Sequence, residues 1–384
     1  MERAVRIPVW YYGAVMMVNA MLLTGVGILL PRLEAEYNLS LSQQGLLIGG
    51  QFVGYTVAVL TGAVLADRFG KLRALRAGMA CFALTALLYG TVRAPWLLYV
   101  IPVLVGAFGG VLENLLTAIV YLDSEQAVKK STWLQFAYCL GAVAMPVLLY
   151  YLDMVGFGWR SLVLLVGGLM ALLLFFGAGQ QIPSGEKGMC FSAVAGEFTR
   201  LAKSGSGLAA LLAMLLYVSA EVGLWGFLPS YVGKTGGSEN YVALSTSLLW
   251  AGMALSRMVV AGRKTASGWR VLVLFVSASI VSAAAVLLTG GVWLLPAAAL
   301  AGFAMGPLYA YLIDWVCGAA RSDSASVIAA AMAVGTLGPV ITGPVTGWLG
   351  ERLGQRGVML VPLVACLLIF VLLLARRADF EEKM

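Results

Sequence analysis

Long apolar runs separated by short polar breaks follow one another along the whole chain. The runs are continuous and close to the roughly 20 apolar residues that a membrane-spanning helix needs. The strands of a membrane barrel would instead alternate over about ten residues. We therefore predict an all-α polytopic membrane protein with twelve transmembrane helices. The predicted spans are 8–31, 42–66, 75–92, 96–121, 132–152, 159–179, 207–231, 242–262, 270–289, 292–316, 325–349 and 357–375.

The composition excludes a water-soluble fold. Of 384 residues, 61% are hydrophobic and 11% are charged, whereas a soluble domain is nearer half apolar and a quarter charged. Twelve spans use about 240 residues, which leaves room for short connections and for no appended globular domain. Histidine is absent, so proton chemistry would fall to carboxylates. The five cysteines are widely separated, and we expect neither disulfides nor a metal site.

The distribution of lysine and arginine predicts the orientation. Of the 25 basic residues, eighteen lie in the N-terminus, the C-terminus and the even-numbered connections, and six lie in the odd-numbered connections. The remaining one, Arg257, lies inside a span. Since cytoplasmic loops are enriched in Lys and Arg, both termini are predicted to be cytoplasmic. The net charge of +7 is therefore a topology signal, and no nucleic-acid partner is expected.

The longest polar break divides the chain into two halves. It covers residues 180–206 and contains an amphipathic pattern at Phe191, Val194, Phe198 and Leu201, which predicts a helix on the membrane surface. The resulting domains are an N-terminal six-helix bundle at 1–179, a cytoplasmic linker at 180–206 and a C-terminal six-helix bundle at 207–384.

The two halves repeat each other at a nearly constant offset. A shift of 198 residues aligns Thr24–Pro31 with Val222–Pro229, and a shift of 196 aligns Gly106 and Gly110 with Gly302 and Gly306. The further matches are Phe52 with Trp250, Gly54 with Gly252, and Gly141 with Gly338. Repeated halves are typical of transporters, with the substrate site between them near the midplane.

One connection carries a family motif. Residues 65–71, Leu-Ala-Asp-Arg-Phe-Gly-Lys, resemble the G-x-L-A-D-R-x-G-R-K loop of the major facilitator superfamily. Ala63 occupies the position of the first glycine and Leu72 that of the last basic residue, while Asp67, Arg68 and Gly70 are intact. The resemblance implies the major facilitator fold, and it implies that these charges join the cytoplasmic ends of the two bundles. A charged turn obeying the positive-inside rule would explain Arg68 but not Asp67.

A finer resemblance points to a branch of that superfamily. Residues 216–223 and 227–231 are similar to span seven of the fucose- and glucose-permease-like branch, residues 109–114 to its span four, and Gln135 to an amide of its span five. The resemblance implies sugar transport coupled to a cation, often a proton. The span-five signature of drug antiporters is poorly met, because Met145 stands at its second glycine.

Ionisable residues inside spans are candidate functional residues, because a charge at bilayer depth is costly. Glu113 in span four and Glu221 in span seven are candidate proton carriers, although Glu113 could be a structural protonated carboxyl and Glu221 a structural partner of Arg257. Arg257 needs a carboxylate or a cavity, and it could also be a gate residue or reach the membrane surface. Asp314 near the end of span ten and Asp123 at the end of span four are predicted gate or helix-end residues.

Uncharged polar and aromatic side chains supply candidate substrate ligands. Amides suit a hydroxyl-rich solute, and aromatic rings can stack on a sugar, although packing is the alternative for each ring. The candidates are Asn19, Gln51, Asn114, Gln135, Trp225, Trp250, Tyr309 and Tyr311. Trp10, Tyr11 and Tyr12 are predicted to be interfacial anchors.

These features predict a secondary transporter and not an enzyme, with no cofactor, no metal and no catalytic residues. The favoured function is proton-coupled symport of a sugar or a similar small polar solute by alternating access in a prokaryotic inner membrane, with a monomer expected. The alternative is a proton-coupled exporter of an amphipathic metabolite or drug. A sensor built on a transporter scaffold is a third possibility.

Overall fold

Helices make up the part of the chain that the structure describes. The structure is a computed structural model, and it describes residues 9–91, 93–120, 127–177, 191–261, 268–322 and 324–378. Within these ranges no strand is present, and twelve segments are long and apolar enough to cross a membrane. The all-α prediction and the count of twelve spans are therefore confirmed.

The helices of the first half follow the predicted spans closely. They are α1 (Val9–Tyr37), α2 (Leu41–Phe69), α3 (Lys71–Thr91), α4 (Leu97–Val120), α5 (Ala127–Met154) and α6 (Gly158–Phe176). A separate helix, α7 (Phe191–Lys203), follows in the predicted linker.

The second half contains shorter pieces as well as whole spans. Its elements are α8 (Gly205–Lys234), α9 (Glu239–Ala261), α10 (Gly268–Leu288), a 3₁₀ helix (Gly291–Trp293), α11 (Leu294–Met305), α12 (Leu308–Ala320), α13 (Ala325–Leu353), α14 (Gln355–Val358) and α15 (Leu360–Ala375). The tenth span comprises the 3₁₀ helix with α11 and α12, and the twelfth comprises α14 with α15.

The structure departs from the predicted spans most clearly in α1 and in the tenth span. The α1 helix continues six residues beyond the predicted end at Pro31, because helical hydrogen bonding does not stop where the apolar run stops. The tenth span was predicted as one run, but the helix is interrupted between Met305 and Leu308. Pro307 lacks the N–H that a continuous helix would need there.

The chain divides into two compact units, each of which is described by itself. The first unit comprises residues 1–25 and 53–191, and the second comprises residues 26–52 and 192–384. The ends of α1 and α2 that flank their connecting turn thus belong to the second unit. The predicted bundles at 1–179 and 207–384 stay a prediction.

Equivalent glycine contacts inside each unit support the internal repeat. A β-carbon on Gly54 would overlap the backbone oxygen of Val103, and one on Gly252 would overlap that of Ala299. These pairs are related by the offsets of 198 and 196 residues found in the sequence. In both halves, therefore, a glycine lets two helices approach to backbone contact.

Equivalent hydrogen bonds repeat as well. The amide of Asn19 donates to the carbonyl of Gly109 at 3.1 Å, and the hydroxyl of Tyr217 donates to the carbonyl of Met305 at 3.3 Å. The donors are 198 residues apart and the acceptors are 196 residues apart. The repeat thus extends from the sequence to the packing within each unit.

The linker helix buries only part of the apolar face that its sequence indicates. Along α7, Leu201 is buried whereas Phe198 is exposed, and the side chain of Phe191 lies outside the described residues. The helix in the linker is therefore confirmed, and its place on a membrane surface stays a prediction.

The prediction of an aromatic anchor at the start of α1 is wrong for two of its three residues. Trp10 is exposed, but Tyr11 and Tyr12 are buried. The hydroxyl of Tyr11 donates to the carbonyl of Leu173 at 2.8 Å. These two tyrosines pack inside the first unit because a neighbouring helix offers the partner that the Tyr11 hydroxyl needs there.

Candidate functional site

The first unit holds Glu113 in contact with a tyrosine. Tyr55 on α2 donates its hydroxyl to Oε2 of Glu113 on α4 at 2.9 Å, and both residues are partly exposed. Gly110, one turn earlier on α4, makes this possible because a β-carbon there would lie 3.2 Å from the Tyr55 ring. A hydrogen bond to a carboxylate is among the stronger ones in proteins, so Tyr55 can hold the ionised form of Glu113.

Two amides of the first unit have unsatisfied polar atoms. Asn19 is fully buried, and its Oδ1 has no hydrogen-bond partner. The Nδ2 of Asn114 is also buried without a partner. Buried polar atoms are usually paired, so these two atoms are candidates for binding a polar ligand. Gln135 on α5 is partly exposed, and Gln51, which belongs to the second unit, is buried.

The second unit joins Glu221 to Arg257. Nη2 of Arg257 on α9 lies 3.6 Å from Oε1 of Glu221 on α8, and both side chains are partly buried. Nε of Arg257 donates to the carbonyl of Gly306 at 3.1 Å. The ion pair that the sequence offered as an alternative for Glu221 is thus present.

The interruption of the tenth span supplies the acceptors around this ion pair. Between α11 and α12, the carbonyl of Met305 accepts the hydroxyl of Tyr217, and the carbonyl of Gly306 accepts Nε of Arg257. In a continuous helix both carbonyls would accept backbone N–H groups four residues later. A broken membrane helix whose freed carbonyls are bound by side chains is typical of transporter sites.

Aromatic rings line the same faces of α8 and α9. Trp225 is four residues after Glu221 and Trp250 is seven residues before Arg257, so each shares a helix face with one member of the ion pair. The two tryptophan rings lie 6.1 Å apart, and both are buried. Tyr217, four residues before Glu221 on α8, has its ring 6.3 Å from the ring of Tyr309 on α12.

Two of the predicted gate residues, Asp314 and Arg68, are exposed. Asp314 is exposed on α12, eight residues beyond Gly306. Arg68 is exposed, with its guanidinium 5.6 Å from the centre of the Phe69 ring. Asp123 and the side chain of Asp67 lie outside the described residues. Gly70 of the motif lies in the turn between α2 and α3. Its φ of 84° is a left-handed conformation that favours glycine, which explains the residue at this position.

A polar network in the second unit was missed by the sequence reasoning. Its members are Glu34 and Gln44, from α1 and α2, and Ser230 and Lys234 from α8, which we call the turn-end network. Lys234 pairs with Glu34, while Gln44 donates to Glu34 at 2.9 Å and accepts from Ser230 at 3.0 Å. Glu34 and Lys234 directly follow apolar runs, and that position was the available signal.

Further contacts hold the same end together. Arg32 lies 3.3 Å from Glu239, and the backbone N–H of Ser42 donates to Glu351 at 2.9 Å. A β-carbon on Gly45 would overlap the carbonyl of Gly343. The turn between α1 and α2 is therefore packed tightly on α8 and α13.

Metal ligands do not cluster in the described part of the chain. No group of three or more Cys, Asp or Glu residues there could hold a metal ion. The ionisable contacts just described instead suit the binding and release of protons and of a charged or polar solute.

One known transporter is similar in sequence to part of this chain. A gallate transporter of Pseudomonas putida is 27% identical over 187 residues, which are 45% of this chain and 41% of the relative. The chain thus matches less than half of that relative's length.

Two solved structures cover nearly all of the fold. The E. coli fucose:proton symporter aligns with a TM-score of 0.66 at 18% identity, covering 97% of this chain and 99% of the symporter. A bacterial homologue of the human lysosomal transporter Spinster, in an inward-facing and unoccupied conformation, aligns with a TM-score of 0.73 at 16% identity, covering 97% of each chain. At these identities the two likenesses show the fold.

The family model of the Major Facilitator Superfamily matches residues 13–336. This match covers most of the chain, and the twelve spans and the two fold likenesses agree with it. The twelve membrane-length helices make the chain a multi-pass membrane protein, and it belongs to the Major Facilitator Superfamily, whose members are membrane transporters and not enzymes.

Proposed function

We propose that this protein is a proton-coupled secondary transporter of a small polar solute and that Glu113 carries a coupling proton. The observation that carries the proposal is the hydrogen bond of 2.9 Å from Tyr55 to Glu113 within membrane-spanning helices. A carboxylate at this depth is costly unless it is bound or hydrated. Tyr55 stabilises the ionised form, and partial exposure lets a proton reach the carboxyl.

The cycle follows from the two charge states of Glu113. With the carboxyl ionised, Tyr55 donates to it and the charge disfavours closing the site away from water. With the carboxyl protonated, the charge is absent and closure is less costly. Proton binding therefore favours the change of access by which the solute crosses the membrane.

The test compares Glu113→Gln with the unmodified protein in proteoliposomes. Removing the titrating group should abolish solute accumulation driven by a proton gradient while sparing solute exchange, which needs no net proton movement. Glu197→Gln, in the linker helix α7, is the matched control and should accumulate solute normally. A Glu113→Gln protein that still concentrates solute down a proton gradient would contradict the proposal.

Several finer properties belong to the same proposal. The fucose:proton symporter and the gallate transporter make a sugar and an aromatic acid the first solutes to assay. The alternative of proton-coupled export is distinguished by direction, because an exporter acidifies vesicles of one orientation when solute leaves them. We further propose a monomer in a prokaryotic inner membrane, with both termini cytoplasmic, on the strength of the lysine and arginine distribution.

A further inference from the structure

Three helix ends of the second unit meet on one side of its membrane-spanning segments. The helix α8 begins at Gly205, α10 begins at Gly268, and α15 ends at Ala375. The last of these helices packs on both of the others. The candidate membrane spans begin and end at these same three residues, so the side chains that flank them lie at the depth where lipid headgroups begin.

Arg376 follows the end of α15 and lies against the start of α8. A β-carbon on Gly205 would lie 2.6 Å from Nη2 and 3.1 Å from Nη1 of Arg376, so the guanidinium occupies the space that a side chain would need. A cation is unfavourable there, because the first turn of a helix carries a partial positive charge and is stabilised by acids. An anion at this position would therefore stabilise the junction.

No acid among the described residues offsets the charge of Arg376. Its side chain forms no ion pair or hydrogen bond in that part of the chain. The helices α10 and α15 contain no Asp or Glu, and Glu197 on α7 is paired with Arg200. The acid on α8 is Glu221, which lies about 24 Å further along the helix at 1.5 Å per residue.

A tryptophan at the start of α10 places a second arginine at the same junction. The guanidinium of Arg377 lies 5.1 Å from the centre of the Trp269 ring, and Nε1 of Trp269 donates to the carbonyl of Leu373 at 3.4 Å. Tryptophan is typical of the interface between membrane and water. With an exposed residue from α7 and another from α10, the two arginines form what we call the basic cluster: Lys203, Arg270, Arg376 and Arg377.

The basic cluster is continuous with an apolar stripe on α8. Leu208 and Leu212 follow Gly205 by three and seven residues, so the three positions share one face of the helix. Both leucines are exposed, and in a membrane such a face contacts acyl chains. A lipid with its phosphate at Arg376 can therefore lay an acyl chain along this stripe.

We infer that the basic cluster binds the headgroup phosphate of an anionic phospholipid, with Arg376 as the main contact and an acyl chain along Leu208 and Leu212. The planar guanidinium suits a phosphate, and basic pockets between membrane helices are suited to anionic headgroups. A soluble anion would use the charge and leave the apolar stripe without a partner. This binding goes beyond the proposed transport function and does not rest on it.

Thermal unfolding of the purified protein in detergent tests the inference. The protein is unfolded with added dioleoylphosphatidylglycerol, which is anionic, or with dioleoylphosphatidylcholine, which has the same chains and a phosphate but no net charge. Inorganic phosphate is the soluble anion. A ligand that binds the folded state raises the unfolding midpoint by mass action, so the three additions separate charge from acyl chains.

The expected result is a rise in the midpoint with phosphatidylglycerol that exceeds the rise with either other addition. Arg376→Gln should lower the apparent affinity for phosphatidylglycerol at least about tenfold, as expected for losing a hydrogen bond to a charged group. Arg321→Gln is the matched control, because Arg321 is exposed at the end of α12, and it should respond as the unmodified protein does.

A second variant supplies the anion from the protein itself. Gly205→Glu places a carboxylate beside the guanidinium, where the first turn of the helix also favours it. Only the flexible end of Arg376 has to move to admit the new side chain. This variant should unfold at a higher temperature than the unmodified protein without lipid, and phosphatidylglycerol should stabilise it no more than phosphatidylcholine does. It tests the site even where Arg376→Gln fails to fold.

The C-terminal tail contains acids that would compete with the lipid. Asp379, Glu381 and Glu382 follow the basic cluster in the sequence and lie outside the described residues. Replacing them together, as Asp379→Asn, Glu381→Gln and Glu382→Gln, should keep or raise the affinity for phosphatidylglycerol, because it removes competing negative charge. A lower affinity would contradict an anion site here.

Two further outcomes would overturn the inference. One is an unchanged affinity for phosphatidylglycerol in both Arg376→Gln and Gly205→Glu, which would place any lipid contact elsewhere. The other is an equal rise in the midpoint of the unmodified protein with phosphatidylcholine or with inorganic phosphate. Equality with phosphatidylcholine would exclude recognition of the charge, and equality with inorganic phosphate would exclude a part for the acyl chains.

Discussion

Glu34 offers the sharpest test of how the α1–α2 turn is held on α8. Its carboxylate forms an ion pair with Lys234 and at the same time accepts a hydrogen bond from the amide of Gln44. Glu34→Gln removes only the charge, because its amide oxygen still accepts from Gln44. Glu34→Ala removes the charge and the acceptor. The two variants therefore separate the ion pair from the buried hydrogen bond.

The free-energy changes expected for the two variants follow from how exposed the side chains of the network are. The side chains of Glu34 and Lys234 are 26% and 35% exposed, so their pair contributes about 1 kcal/mol at most, or about fivefold in the equilibrium between the packed turn and a separated one. Gln44 is fully buried, and leaving its amide without an acceptor costs a further 1–3 kcal/mol or so. Glu34→Ala should thus shift the equilibrium by about 1–4 kcal/mol, or by about 5- to 1,000-fold.

The assay is a distance distribution between spin labels at Ala35→Cys and Asn240→Cys, with the native cysteines replaced. Both positions are exposed on α1 and α9. The long-distance population should grow strongly in Glu34→Ala and only slightly in Glu34→Gln. Lys234→Gln is the control and should match Glu34→Gln. Equal populations for Glu34→Ala and Glu34→Gln would refute the part assigned to Gln44, and no change in either would refute the network.

Two further predictions concern packing and the helix break. Gly54→Ala should lower the free energy of unfolding by about 1–3 kcal/mol, because the new β-carbon overlaps the backbone of Val103. Gly168→Ala is the control, because a β-carbon there meets nothing within 4 Å, and it should be neutral or slightly stabilising. Thermal unfolding of the purified protein measures both. Pro307→Ala restores an N–H that a continuous helix directs to the carbonyl of residue 303, and it should join α11 to α12. In the joined helix the Gly306 carbonyl accepts the N–H of residue 310 and no longer accepts Nε of Arg257. Transport should then fall at least about tenfold, as expected for losing a hydrogen bond to a charged group, while circular dichroism shows helix content retained or raised. Unchanged transport by Pro307→Ala would show that the break is not part of the site.

Some of this architecture could be predicted because it depends on local composition. A span is recognised by its own apolar length, so the twelve helices needed no knowledge of neighbours. The repeat was visible as constant offsets, and the same offsets relate Asn19 with Gly109 to Tyr217 with Met305. Glu113, Glu221 and Arg257 were singled out because a charge in an apolar run is unusual wherever the helix packs.

Other features could not be predicted because they depend on how each helix is rotated. In a membrane the lipid-facing side is as apolar as the packed side, so periodicity does not mark the inner face. Tyr11 and Tyr12 were therefore misassigned to the interface, although they are buried. For the same reason nothing in the sequence joined Tyr55 to Glu113.

The sequence by itself determined the number of spans, the repeated halves, the superfamily motif and the short set of charges within spans. Only the tertiary structure decided which partners those charges have: Tyr55 for Glu113, and Glu221 with the Gly306 carbonyl for Arg257. It also revealed the turn-end network, whose members lie nearly 200 residues apart. The physical reason is that the cost of a charge in a membrane is a property of one residue, whereas its compensation is a property of a contact.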